Sequence, residues 1–304
     1  MLNLPLVSFV VTSYNYEKYI LKTLESIKAQ TYKNIEIIIV DDCSGDKSVD
    51  IIEQFISDNQ DLKITLIKHE SNKGQLASML DGLKISKGQF VSFIDSDDIL
   101  LSEYAATHIK VHMETSVAFT SCQIAEIGED NEIHTLKSIS SPSINNNKVL
   151  EQIQNNLANA DEILNVNTDY EILKNKRFGG WYWSPNSSAM YRKASIQSLL
   201  NYKNTNMWKI NPDKFMFNFA HLIGGSAIIY TPLIGYRRHK ENAGSCSQVT
   251  GNKKLHSDKT TLNNIKNNIN IRPETIKFLW QERNKFGKRN TAKFILTVIL
   301  SYLF

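Results

Sequence analysis

Two hydrophobic periods run through the first hundred or so residues. Short β-branched runs at Leu6–Thr12, Ile35–Val40, Ile64–Ile67 and Phe90–Ile94 read as strands. Between them, apolar residues recur at helical spacing. This predicts helices over Tyr16–Gln30, with Ile20, Leu24 and Ile27 on one face, through Val49, Ile52 and Ile56, and over Gln75–Ile85. The strands are apolar throughout rather than alternating, as expected of strands buried on both faces. Strand–helix alternation of this kind predicts a mainly parallel sheet flanked by helices, a Rossmann-like α/β layer. Ligands of such open sheets bind beyond the carboxyl ends of the strands. The polar segments Thr12–Asn15, Asp41–Ser44 and Asp95–Asp98 are therefore expected to converge on one crevice.

After Ser102 the rhythm loosens. A helix to about Met113 and a strand at Ala118–Ile124 are expected, then a polar stretch over Ser138–Lys148. Phe178–Pro185 is dense in aromatics and glycine, and an apolar strand at Ala227–Tyr230 leads into Gly235-Tyr-Arg-Arg-His-Lys-Glu-Asn242. Residues 243–258 read as a linker, and the remainder is helical by period. The expected organisation is one domain over 1–242, divided into 1–105 and 106–242, followed by a linker and helical tail over 243–304.

Composition narrows the classes. The chain has 304 residues, an apolar share of 41% and 10% aromatics, a globular profile that excludes disordered and fibrous readings. The three cysteines contain no CxxC pair, so neither a disulfide framework nor a zinc knuckle is indicated. The opening Met1-Leu-Asn-Leu-Pro5 lacks the pattern of a secretory leader, and a cytoplasmic setting is expected. Residues 272–304 hold seven basic and two acidic residues, while the preceding body is close to neutral. That distribution argues against a nucleic-acid partner for the body. Phe294–Phe304 is too short to span a bilayer. Beside its basic neighbours it suits either the anionic inner membrane surface or a helix packed on the domain.

The strongest chemical signal is Asp95-Ser-Asp97-Asp98 directly after an apolar strand. Alternate carboxylates there can hold a hard divalent cation, Mn²⁺ or Mg²⁺, beside a phosphate. Helix capping and turn formation are the competing readings. Asp41 and Asp42 close the neighbouring strand in the same way, and Tyr14 follows the first. An aromatic platform with several carboxylates suits a nucleoside diphosphate.

In five ordered segments the sequence resembles the family 2 glycosyltransferases, inverting enzymes of the GT-A fold. These are Val7–Asn15, Gln30–Glu36, Val40–Asp46, Asn72-Lys-Gly74 and Phe93–Asp98. The resemblance implies that Thr12 and Tyr14 line the base pocket, that Asp42 accepts the ring N3–H of a uridine-type donor, and that Asp95 faces the ribose. It further implies that Asp97 ligates the cation, with Asp98 a support or an alternative ligand, and that His239 in Tyr236-Arg-Arg-His239 ligates the metal or contacts the diphosphate. Asp213 in Asn211-Pro-Asp213 is the matching candidate for the base that takes the acceptor's hydroxyl proton, and ordinary capping at a helix start is its rival. Family members often carry Ala-Arg-Asn where this chain has Ala77-Ser-Met-Leu80, so Lys73 is a candidate replacement for the missing charge. Trp181, Tyr182 and Trp183 form either a sugar-stacking acceptor platform or core packing.

The implied activity is transfer of a sugar from a nucleotide-diphosphate donor, UDP-type, to a glycan or lipid-linked acceptor. A polyprenyl-phosphate sugar transferase and a catalytically silent glycan- or nucleotide-binding module are the alternatives. A dinucleotide oxidoreductase is disfavoured because no GxGxxG follows the first strand.

Overall fold

The computed structural model describes residues 4–137, 169–173, 183, 185–210, 212–239, 273–288, 291–292 and 295. In chain order the first hundred residues contain β1 (Val7–Ser13), α1 (Ile20–Lys28), β2 (Ile35–Asp41), α2 (Ser48–Asp58), β3 (Ile64–Lys68), α3 (Gln75–Ile85), β4 (Phe90–Asp95) and β5 (Ile99–Leu100). There follow α4 (Tyr104–Glu114), β6 (Phe119–Ile127), β7 (Ile133–Lys137), β8 (Tyr170–Leu173), β9 (Ala189–Arg192), α5 (Lys193–Ile196), α6 (Asp213–Gly224), β10 (Ser226–Arg237), α7 (Pro273–Gln281) and α8 (Arg283–Phe286).

All the strands join one ten-stranded sheet with the path β3-β2-β1-β4-β9-β6-β10-β5, while β7 pairs with β6 and β8 with β10. β1, β2, β3 and β4 run parallel, as do β6 and β10. β9 lies antiparallel between β4 and β6 and splices the two parallel groups. The sequence rhythm does not predict this strand, because four residues carry too little periodicity. The expected strand at Ala227–Tyr230 extends to Arg237, crossing Pro232 through two register shifts. Proline donates no ladder hydrogen bond, and the irregularity lets the strand continue past it.

Alternation along each buried strand sorts the core onto two faces. Val10, Ile38, Val40 and Phe93 join Leu76 and Leu83 of α3 and Phe217 and Phe219 of α6. Phe9, Ile37 and Ile39 join Ile20 and Leu24 of α1, Ile52 of α2 and Ile109 of α4. Gly82 marks the close approach of α3 to the sheet, since a Cβ there would stand 2.3 Å from Val10 Cγ1. α1 starts at Ile20 rather than Tyr16, and the N–H groups of Tyr16 and Glu17 go to Ser48 Oγ and Asp46 Oδ2.

The described tail packs on the domain. Phe278 stacks with Phe219 and meets Tyr202 edge-on, Thr291 is buried, and Ile295 rests on the same core. The rest of Phe294–Phe304 lies outside the described residues. No helix among the described residues is long and apolar enough to cross a membrane.

Candidate functional site

The carboxyl ends of β1, β2 and β4 bring the three polar segments together, because in-register parallel pairing aligns Thr12 with Val40 and with Asp95. Two loops then lace to each other. Asn15, at φ +61°, accepts the Gly45 N–H at 2.7 Å through Oδ1 and donates its own N–H to Ser44 Oγ at 2.9 Å. Glu17 accepts from Lys47 N–H, and Asp41 accepts from both the N–H and the hydroxyl of Ser44. Tyr14 leaves this lattice with 45% of its surface exposed, a ring open to a ligand. Thr12 is half-buried, and its carbonyl accepts the Ser96 hydroxyl.

Asp42 is buried and anchors the next turn. Its Oδ1 takes the Lys73 N–H at 2.8 Å and its Oδ2 the Gly74 N–H at 2.7 Å. Gly74 has φ +90°, and a Cβ there would meet the Lys209 backbone at 2.7 Å, so only glycine fits without strain. The turn delivers Gln75, whose amide donates to Asp95 Oδ1 at 2.7 Å. Lys73 Nζ stands 3.6 Å from Asp81, half-exposed at the rim. In Ala77-Ser-Met-Leu80, where family members often carry Ala-Arg-Asn, Ser78 is buried with its hydroxyl on the Gly74 carbonyl, and Met79 and Leu80 lie in the core.

Asp95, Asp97 and Asp98 diverge in role. The Asp95 N–H donates to Ser187 Oγ at 3.0 Å. Burial pushes its carboxyl well above the usual range, and the charges of Asp98, Asp97 and Asp213 add to this. Asp97 Oδ2 lies 2.9 Å from His239 Nε2, and the imidazole is packed against Tyr16 and Tyr19. Asp98 is wholly buried and accepts the Arg237 N–H at 3.1 Å. Burial and the Asp97 charge raise its carboxyl.

Several supports were not legible in the motifs. The Thr23 hydroxyl donates toward the carbonyls of both Ser96 and Asp98 at 2.8 Å. Gln30 donates to the Leu101 carbonyl and accepts the Ala105 N–H, bracketing the loop from outside. Buried Arg237 donates to the Asp97 and Gly128 carbonyls and lies over the Tyr19 ring. Paired polar residues of this kind carry no spacing signal.

Asp213 opens α6 and is half-buried. Desolvation raises its carboxyl to about 6, and its charge reaches both Asp95 and the buried Tyr191. The Tyr191 hydroxyl and Asn186 Oδ1 are buried with no hydrogen-bond partner among the described residues. The aromatic segment divides. Trp183 is 3% exposed, stacks on Phe217 and donates its indole N–H to Ser226 Oγ, so it is core rather than acceptor platform. A ring fully enclosed by aromatics has no face left for a sugar. Trp181 and Tyr182 lie outside the described residues.

Among the described residues no group of three or more His, Cys, Asp or Glu side chains is arranged to hold a metal by itself. The Asp97–His239 pair supplies one carboxylate oxygen and one imidazole nitrogen, a donor set that Mn²⁺ accepts more readily than oxygen-seeking Mg²⁺.

Known proteins are similar to this chain in fold and in sequence. S. aureus TarS, solved in complex with UDP-GlcNAc, superposes with a TM-score of 0.56 at 17% identity, covering 91% of this chain and 72% of that one; the likeness is one of GT-A fold. The Escherichia coli UDP-Glc:α-D-GlcNAc-diphosphoundecaprenol β-1,3-glucosyltransferase WfaP is 39% identical over 142 residues, 47% of this chain and 54% of WfaP. Glycosyltransferase GlyG of Streptococcus pneumoniae is 43% identical over 96 residues, 31% of each chain. This chain thus spans about half the length of WfaP and a third of GlyG. The model of glycosyl transferase family 2 matches residues 8–200, from the first residues of β1 through the strand that splices the sheet. With carboxylates gathered at the strand ends and most of the chain inside that match, the protein belongs to glycosyl transferase family 2.

Proposed function

We propose that the protein is an inverting, metal-dependent transferase that moves a hexosyl or N-acetylhexosaminyl group from a UDP-sugar to a hydroxyl of a glycan or lipid-linked acceptor in cell-surface polysaccharide or glycoconjugate synthesis. The observation that carries this reading is that Asp213, its carboxyl raised to about 6, stands within electrostatic reach of Asp95. A base so tuned is ionised at neutral pH yet basic enough to take a hydroxyl proton. The UDP-sugar in WfaP's name and in the TarS complex supports the donor class.

On the donor side Tyr14 offers its exposed ring to the base, Thr12 lines the pocket, and Asp42 is the acceptor for the ring N3–H while holding the turn beside it. Asp95 faces the ribose and is held by Gln75. Asp97 and His239 would hold Mn²⁺ or Mg²⁺, which when bound neutralises charge on the departing diphosphate. Asp213 accepts the proton of the acceptor hydroxyl as that oxygen attacks the anomeric carbon opposite the diphosphate.

Supply of UDP-glucose and UDP-GlcNAc with Mn²⁺ and a panel of glycan acceptors tests this. Acceptor-stimulated UDP release is the expected result. Release of GDP from GDP-mannose alone would overturn the uridine assignment.

The organisation into 1–242 and a tail over 243–304 is part of the same reading, with the protein in the cytoplasm and peripheral on the inner membrane face. Half-exposed Trp280 with exposed Lys277, Lys285 and Lys288 supports contact with anionic lipid. Charge reversal at Lys277 and Lys285 should reduce co-sedimentation with anionic vesicles, and unchanged sedimentation would remove the membrane role.

A further inference from the structure

His69 follows β3, and its N–H is pinned to the Asp41 carbonyl at 2.9 Å. Its buried ring lies between two carboxylates, with Nδ1 2.7 Å from Asp42 Oδ1 and Nε2 3.0 Å from Asp81 Oδ2. Each ring nitrogen thus has a carboxylate oxygen at hydrogen-bond distance, and the ring donates through a nitrogen that carries a proton. Asp42 also receives the N–H groups of Lys73 and Gly74, and Lys73 Nζ reaches the same Asp81 oxygen. The contacts therefore close into a ring running His69, Asp42, the 73–74 turn, Lys73 and Asp81. This ring fixes the start of α3 and with it the Gln75 amide on Asp95. A bridge between two carboxylates is more than this edge position needs for packing. β3 is a half-exposed strand, and an aliphatic side chain would fill the same space.

We propose that His69 is a positioning residue for donor binding: through Nδ1 it holds Asp42 in the orientation that grips the 73–74 turn, and so sets the affinity for the nucleoside diphosphate. The inference rests on the donor reading above. It assigns the function to one ring nitrogen, which makes it separable from a packing role. An asparagine amide nitrogen sits near the Nδ1 position, and that of glutamine near Nε2.

The experiment compares wild type, His69→Asn and His69→Gln by calorimetric titration with UDP and Mn²⁺, by thermal melting, and by amide hydrogen exchange at Lys73 and Gly74. His69→Asn should keep the UDP Kd within about threefold of wild type. His69→Gln should weaken it about tenfold, the scale of one hydrogen bond to a charged group, with faster exchange at Lys73 and Gly74. Equal weakening by both variants, or equal loss of melting temperature with unchanged Kd and exchange, would overturn the assignment. If wild type itself binds no UDP, the donor reading falls, and exchange at Lys73 and Gly74 in the two variants still decides whether Nδ1 holds the turn.

Discussion

On one side of the crevice, Asp41, Asp42 and Asp46 each accept at least two hydrogen bonds. Across it, Asp213 stands in an apolar surround with few. Asp46 illustrates the first regime. Its partial burial works upward, but hydrogen bonds from Ser48 and from the Glu17 and Ser48 N–H groups outweigh it and hold the carboxyl below its usual range. Asp213 illustrates the second, where desolvation prevails and the carboxyl rises to about 6. One residue type thus serves two purposes according to how many donors surround it. Well-donated acids such as Asp46 order loops, while Asp95 and Asp98 share with Asp213 the burial that raises a carboxyl. The same contrast extends to buried histidines. His69 has both ring nitrogens engaged, whereas His108 Nε2 and His112 Nδ1, behind β6 and β9, have no partner among the described residues.

The largest expected effect comes from removing charge on the donor side. Asp97→Ala should reduce transfer by about 10³-fold or more, since charge neutralisation at the leaving diphosphate supplies several kcal/mol. The fold should survive, as shown by an unchanged circular dichroism spectrum. Near wild-type turnover in this variant, or in excess EDTA, would remove the metal role proposed for Asp97.

A smaller effect, on stability, sharpens the histidine contrast. Burial lowers the pKa of His112 to about 3 and that of His108 well below its usual value, so the unfolded chain binds protons that the folded one refuses. Stability is then full above the unfolded pKa of about 6.5 and is lost as pH falls, at a limit of about 1.4 kcal/mol per pH unit for each histidine. The two histidines should contribute about 2–3 kcal/mol to the difference in urea unfolding between pH 7.5 and 5.5, against an opposite contribution from the raised carboxyls of Asp95, Asp98 and Asp213. His112→Gln should remove about half of the histidine contribution, read as the difference from wild type.

Gly74→Ala probes the lacing itself. Strain at positive φ, with the Lys209 backbone 2.7 Å from the new Cβ, should cost about 1–3 kcal/mol of stability and weaken UDP binding together. Stability lost with UDP affinity intact would detach the turn from the donor site.

Much of the donor half is legible in the sequence because its signals are local. α3 runs over the same Gln75–Ile85 that apolar spacing predicts, and Asp41, Asp42 and Asp95–Asp98 stand at strand ends as expected. What the sequence hides depends on tertiary partners. Asn15 and Cys43 take positive φ with no glycine to announce it, because the loops around them are laced. Trp183 looks the same in a sequence whether it faces a sugar or Phe217, and only the neighbouring helix decides. The long reach of β10 past Pro232 depends on β6 alongside it.

The central claim is that Asp213 is the base, and the pH–rate profile of wild type beside Asp213→Asn tests it most directly. Because the carboxylate must be ionised to act, wild-type transfer should fall tenfold per pH unit below about 6. Asp213→Asn should transfer about 10²–10⁴-fold more slowly at neutral pH, bind UDP as before and lose that acid limb. An asparagine variant that keeps both the rate and the limb would show that Asp213 only caps its helix.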